Sequence, residues 1–219
     1  MCSSFRCAAA VFAFASRIAL AITFAASFAP QVAAQSLTGC REVAPQSAQS
    51  QIAPRGIANF GQVSPTLFRG GQPSAEGYRE LKQMGVEVVV SFRHERGENS
   101  LERREVEAQG MHFVSLPWHA WEIPADDDVR RFLGLLATNQ NTKVFVHCQQ
   151  GRDRTGTMVA LYRVAVDHWC PASAVSEMKA YHYRHFFFPQ LETYVEAFPQ
   201  RLAMDSRLAG ITPPSLNQR

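Results

Sequence analysis

Cysteine is scarce in this 219-residue chain, and its spacing excludes more than its number does. Cys2, Cys7, Cys40, Cys148 and Cys170 include no Cys-x-x-Cys pair, so a zinc ribbon or finger is ruled out and no metal site is expected. The first two fall in a stretch that reads as a leader. The remaining three form an odd, widely separated set that implies no disulfide framework. Cys170 accordingly reads as a small buried hydrophobe, with a reversible bridge to Cys148 as the alternative. Charge of one sign is also in short supply. Lys and Arg total 22 against 19 Asp and Glu, and a net +3 is too small to argue for nucleic acid, although it suits anionic substrates. The one long apolar stretch lies at the N-terminus and is short for a membrane span.

Residues 1–34 read as an export signal. Arg6 and Arg17 supply positive charge, Ile18 to Ala29 is apolar, and Val32-Ala33-Ala34 places small residues at a cleavage position before Gln35. Leu37-Thr38-Gly39-Cys40 resembles a bacterial lipobox, which makes Cys40 an alternative site of lipidation after a leader of residues 1–39. Both readings send the protein out of the cytoplasm, periplasmic or secreted, and a membrane is reached only through a lipid at Cys40. Residues 35–56, rich in Ala, Gln, Ser and Pro, read as a linker, residues 57–205 as a single domain and residues 206–219 as a tail.

Within the domain the pattern alternates. Ile57 to Phe60 and Leu67 to Arg69 look like short strands about a Ser64-Pro65 turn, and Ser74 caps a helix that stops at Gly85. Val86 to Phe92 is a continuous apolar run, as expected of a strand covered on both faces. Asn99 and Glu102 have the spacing of a capping box for a helix ending near Gly110, and Met111 to Leu116 is the next strand. A helix over Asp126 to Thr138 carries acids in its first turn. Helices follow over Ala172 to Ala180 and Pro189 to Leu202. This order predicts an α/β fold with a central, mostly parallel sheet flanked by helices and a helical C-terminal part.

One stretch carries chemistry. Val144-Phe145-Val146-His147-Cys148 is an apolar strand ending at a thiol, and Arg154-Thr155-Gly156 opens a helix six residues on. Between them, Gln149-Gln150-Gly151-Arg152-Asp153 forms a loop whose backbone N–H groups, aided by the helix dipole, suit a tetrahedral anion. Arg154 adds a planar fork able to hold two phosphate oxygens. The same positive field favours the thiolate form of a cysteine, so a nucleophile and a phosphate clamp share one loop.

His-Cys-x-x-Gly-x-x-Arg-Thr-Gly resembles the signature of the cysteine-dependent tyrosine and dual-specificity phosphatases. An Arg six after a Cys arises at about one Cys in twenty, but His, Gly, Thr and Gly in their places take the chance to the order of one in a million. Phe68 to Pro73, Gly85 to Arg93, Trp121-x-x-Pro124 and Phe145 to Arg163 extend the likeness to bacterial members and to the plant and fungal atypical dual-specificity phosphatases. The resemblance implies that Cys148 attacks phosphorus, that Arg154 and the loop from Gln149 to Arg154 bind the phosphoryl oxygens, and that Thr155 steadies the thiolate during hydrolysis. It also implies that His147 orients the loop. Arg69 and Arg93, each following a strand, are candidates for the pocket rim. Lys179, His182, Arg184 and His185 are either solvated cations or further rim residues. His112 and His119 read as surface or core histidines.

Most of the family delivers the leaving-group proton from an Asp on an upstream loop. Here that neighbourhood reads Leu116-Pro117-Trp118-His119-Ala120-Trp121-Glu122, without an Asp. Myotubularin-like phosphatases resemble this chain in placing an Asp directly before the loop Arg, so Asp153 is the leading candidate and Glu122 the second. The expected activity is cofactor-free phosphomonoester hydrolysis through a phosphocysteine, on phosphotyrosine or aryl phosphates of proteins or small molecules. Inositol polyphosphates or phosphoinositides are the alternative substrates. Rhodanese-like sulfurtransfer and phosphate binding by a pseudophosphatase are alternative functions; intact Cys148, Gly151, Arg154 and Thr155 weigh against the last.

Overall fold

The computed structural model describes residues 39–45, 53–94 and 96–209. Of two compact units, Met1–Leu37 and Thr38–Arg219, all described residues belong to the second. The leader of residues 1–34 and the tail beyond residue 209 lie outside them.

Five strands in the described residues form one sheet: β1 (Gly61–Gln62), β2 (Leu67–Gly70), β3 (Val86–Ser91), β4 (His112–Ser115) and β5 (Lys143–His147). Their order is β1-β2-β5-β3-β4. β2, β5, β3 and β4 run parallel, and only the short edge strand β1 is antiparallel. The strand that ends at the nucleophile therefore sits in the middle, with Gly70 and Ser91 flanking His147 at the C-terminal edge.

Alternation along β5 divides the core. Val144 and Val146 join Leu67, Val88 and Val90 on one face, against α3 (Asp126–Thr138), α4 (Asp153–Ala165) and α5 (Pro171–Ala180). Phe145 joins Phe68 and Val89 on the other, against Tyr78 and Leu81 of α1 (Ala75–Gln83) and Val106 of α2 (Arg96–Ala108). Covered faces on both sides account for continuous apolar strands without polar alternation. In α4 every residue except Tyr162 is buried, because α3, α5, α6 (Pro189–Glu196) and α7 (Phe198–Met204) surround it. A helix buried all round belongs at the centre of a layer, and its polar residues Asp153, Arg154 and Arg163 must find partners there.

Several expectations are corrected. Ile57 to Phe60 is a turn, with Asn59 in the left-handed region at φ 52°, and the edge pairing falls to Gly61 and Gln62. The Asn99 and Glu102 capping box does not form: α2 starts at Arg96, Asn99 binds the Arg93 carbonyl, and Glu102 is buried beneath β5. The helix expected over Pro189 to Leu202 breaks at Ala197, where Pro199, lacking an N–H, opens a new first turn. At the C-terminal end, α8 (Ser206–Ala209) packs Leu208 into the core, so the domain extends past residue 205.

The largest correction concerns cysteine. Cys40 and Cys170, 130 residues apart in sequence, are joined by a disulfide. Part of the expected linker is bound to the domain around it: Arg41 N–H donates to His168 O at 2.7 Å, Cys170 N–H to Arg41 O at 2.9 Å, and Val43 N–H to the Ser173 hydroxyl at 3.0 Å. Spacing alone does not disclose such a pair, since the α4–α5 corner brings Cys170 to the N-terminal segment only after the domain has folded. The Cys40 sulfur is thus committed to Cys170. It has no valence left for a lipid, and Cys148 is the free cysteine of the described residues.

Candidate active site

Cys148 follows β5 directly, and Asp153 begins α4, so the loop spans the gap between the central strand and the buried helix. Its carbonyls are held from outside. Asn59 Nδ2 donates to Gly151 O at 2.9 Å, Arg69 Nη2 to the same oxygen at 3.0 Å, and Gln72 N–H to Gln149 O at 3.2 Å. In a planar trans peptide the N–H points opposite the C=O. The N–H groups of Gln150 and Arg152 are therefore turned to the loop interior, as anion binding requires. Gly151 makes the close approach possible. It adopts φ 67°, and a Cβ there would lie 2.4 Å from the Gly70 carbonyl carbon.

Arg154 is gripped by the segments leaving the neighbouring strands. Its Nη1 donates to Phe92 O at 3.0 Å and to Trp118 O at 3.4 Å, and lies 3.3 Å from His94 Nδ1. These bonds fix the guanidinium plane. Above it opens a cleft of about 360 Å³ lined by His94, His119, Ala120, Trp121, Arg154, Arg184, Phe187 and Phe188. Cys148, with 3% of its surface exposed, is not among the lining residues. Thr155 is fully buried, with no hydrogen-bond partner for its hydroxyl among the described residues.

The structure moves several candidates. Arg69 is 1% exposed and lies behind the loop instead of on the rim, its guanidinium stacked 3.9 Å over the Tyr181 ring. Burial pulls this guanidinium below its ordinary value, against the opposing fields of Glu177, Tyr181 and Cys148. Arg93 is also buried, bound to Gln72 Oε1 at 2.9 Å. Lys179 pairs with Glu192 away from the cleft, while Arg184 lines it.

Asp153 is 4% exposed, and both its oxygens accept from Arg184: Oδ1 from the backbone N–H at 2.9 Å, Oδ2 from Nε at 3.0 Å and Nη2 at 2.6 Å. Glu122 is exposed, does not line the cleft, and closes a turn through its N–H to His119 O at 3.0 Å.

Behind the loop is a polar group that sequence reasoning missed. His147 Nε2 lies 2.7 Å from Glu102 Oε1, and both side chains are buried. Tyr78 donates to Glu102 at 2.7 Å, Ser91 at 3.3 Å, and Gln72 Nε2 donates to the Tyr78 oxygen at 2.6 Å. Burial alone would raise the Glu102 carboxyl, but hydrogen bonds from His147, Tyr78 and Gln72 and the His147 field outweigh it and hold it below its ordinary value. Nδ1 of His147 lies 3.4 Å from Cys148 O. The available signal was that Glu102 shares a helix face with Asn99 and Val106, and the Asn99–Glu102 spacing is also that of a capping box.

Residues 53–193 match the family described as DSP-PTPase phosphatase fused to NAD+ kinase. The chain belongs to this family. Dual specificity protein phosphatase TpbA of Pseudomonas aeruginosa is 32% identical over 121 residues, 55% of this chain and 53% of that protein. The crystal structure of the P. aeruginosa TpbA cysteine-to-serine variant in complex with pTyr superposes with a TM-score of 0.58 at 29% identity, covering 70% of this chain and 93% of that one. Inositol diphosphatase DSP2 of Oryza sativa is 26% identical over 132 residues, 58% of this chain and 61% of that protein. The chain thus spans about half the length of TpbA and somewhat more of DSP2. Membership in the dual-specificity phosphatases agrees with the parallel sheet, the central nucleophile strand and the loop.

Proposed function

We propose that the protein hydrolyses phosphomonoesters through a phosphocysteine intermediate, with phosphotyrosine or aryl phosphates as substrates. The observation that carries this is the loop with its carbonyls pulled outward, Cys148 at one end and a three-way anchored Arg154 at the other. The thiolate displaces the alcohol from phosphorus, and water then displaces the thiolate. Loop amides and Arg154 stabilise the equatorial oxygens in both steps. Trp121, Phe187 and Phe188 give the cleft aromatic walls suited to an aryl ring, and the Arg184 charge is already matched by Asp153. That balance disfavours highly charged inositol phosphates, which need uncompensated cations.

Cys148→Ser abolishes turnover while retaining vanadate or phosphate binding, and chelators leave the wild-type rate unchanged; hydrolysis by the variant, or dependence on a divalent metal, refutes the mechanism. For substrate, kcat/KM on a phosphotyrosine peptide exceeds that on inositol polyphosphates. A hundredfold preference the other way reverses the assignment.

Export is part of the same proposal. Residues 1–34 have the composition of a leader, and a Cys40–Cys170 bond persists only in an oxidising compartment.

A further inference from the structure

With Asp153 held by Arg184 and Glu122 outside the cleft, the proton that the departing oxygen needs must come from another group. We infer that His119 is the general acid. The inference rests on the phosphatase reading given above.

His119 lines the same cleft as Arg154, and its turn is pinned there. The peptide just before it accepts from Arg154 Nη1 through Trp118 O at 3.4 Å, so the phosphate fork and the backbone carrying His119 share a hydrogen bond. Ala120 O accepts from Gln190 Nε2 at 2.9 Å, and Glu122 N–H closes the turn onto His119 O at 3.0 Å. Trp121 packs on Phe188 with ring centroids 4.7 Å apart. The imidazole lies against His94, centroids 3.8 Å apart and planes tilted by 41°, and His94 Nδ1 lies 3.3 Å from Arg154 Nη1. A titratable ring is thus presented from a fixed turn to the place where the leaving group departs.

Imidazole is the side chain whose ordinary range lets it give and take a proton near neutrality. As Cys148 Sγ forms its bond to phosphorus, the P–O bond to the leaving group breaks and its electron pair accepts the proton of His119. Neutral His119 then takes a proton from the water that attacks phosphorus, Cys148 leaves as thiolate, and inorganic phosphate is released. The other titratable or charged groups on the cleft wall are His94 from the segment after β3, Arg154 from α4 and Arg184 from the α5–α6 connection.

The experiment compares leaving groups and pH. In the full chain, His119→Asn lowers kcat on a phosphotyrosine peptide by about 10²–10³-fold. It leaves 2,4-dinitrophenyl phosphate within a few-fold, since that leaving group departs unprotonated, and the alkaline limb of the kcat profile disappears. Retained vanadate affinity shows that the cleft is intact. Glu122→Gln behaves as wild type. The assignment is overturned if His119→Asn slows both substrates equally, if the alkaline limb survives, or if Asp153→Asn or Glu122→Gln shows the leaving-group split instead. Full activity in Cys148→Ser would defeat the phosphocysteine mechanism, and absence of phosphatase activity in the wild type the phosphatase reading itself, both separate outcomes.

Discussion

Glu102 shows how a single buried residue governs chemistry it does not touch. Its carboxylate anchors His147, the residue before the nucleophile, and is itself fixed by Tyr78 and Ser91. Because the folded-state value lies below the ordinary 4.5, its contribution to stability is fully present above that value and is lost as pH falls through the lower one. Glu102→Gln therefore destabilises the domain at pH 7 by about 1–3 kcal/mol. Denaturant midpoints of the variant and wild type converge as pH drops below 4.5. A gap that stays constant to pH 3 would show that the carboxylate contributes no linked charge. Cys148, Arg154 and the loop were legible in the sequence because their spacing is local. Glu102 and the pairing of Arg184 with Asp153 were not, since both are made through the fold: Glu102 lies 45 positions before His147 and Arg184 lies 31 after Asp153.

The connection between β5 and α4 depends on backbone shape more than on side chains. Gly151 has a positive φ, and its Cα faces the Gly70-Gly71 peptide so closely that a methyl would meet backbone atoms at 2.4 to 2.6 Å. Gly151→Ala must open that contact, withdrawing Gly151 O from Asn59 and Arg69. It is expected to cost about 1–3 kcal/mol and at least a tenfold loss of kcat/KM. Thermal melts and vanadate titration check both parts; wild-type affinity in a destabilised variant would separate loop shape from anion binding. The four parallel strands and most helices were readable from apolar runs and caps, whereas the edge strand β1 was not. Element ends were not: Asn59 ends a strand pattern by turning left-handed, and Pro199 divides a helix whose periodicity runs through it.

At the scale of the molecule, the N-terminal segment is joined to the far end of α4. The Cys40–Cys170 bond closes a loop of 130 residues that contains the whole sheet. Beside it, Arg163 binds Glu177 at 2.8 and 3.1 Å and Asp167 at 2.8 Å, and stacks 4.1 Å over Trp169. Cys170→Ser removes the cross-link and is expected to destabilise the domain by about 2–4 kcal/mol. Melting with and without reductant tests this: wild type falls to the variant's Tm on reduction, and the variant does not respond. Equal melting of all four samples would place the bond outside the folded unit. Parallel strand order followed from the sequence, whereas this cross-link needed the α4–α5 corner to be known.

That bond also leaves a chemical signature. In a variant that lacks residues 1–34, three cysteines remain, and two are consumed by one another. The only thiol left to a labelling reagent is Cys148, shielded until the loop admits the probe. That shortened protein therefore takes up one equivalent of an iodoacetamide dye, at a rate that phosphate suppresses. Dye incorporated per chain becomes a direct titration of competent active sites in any preparation.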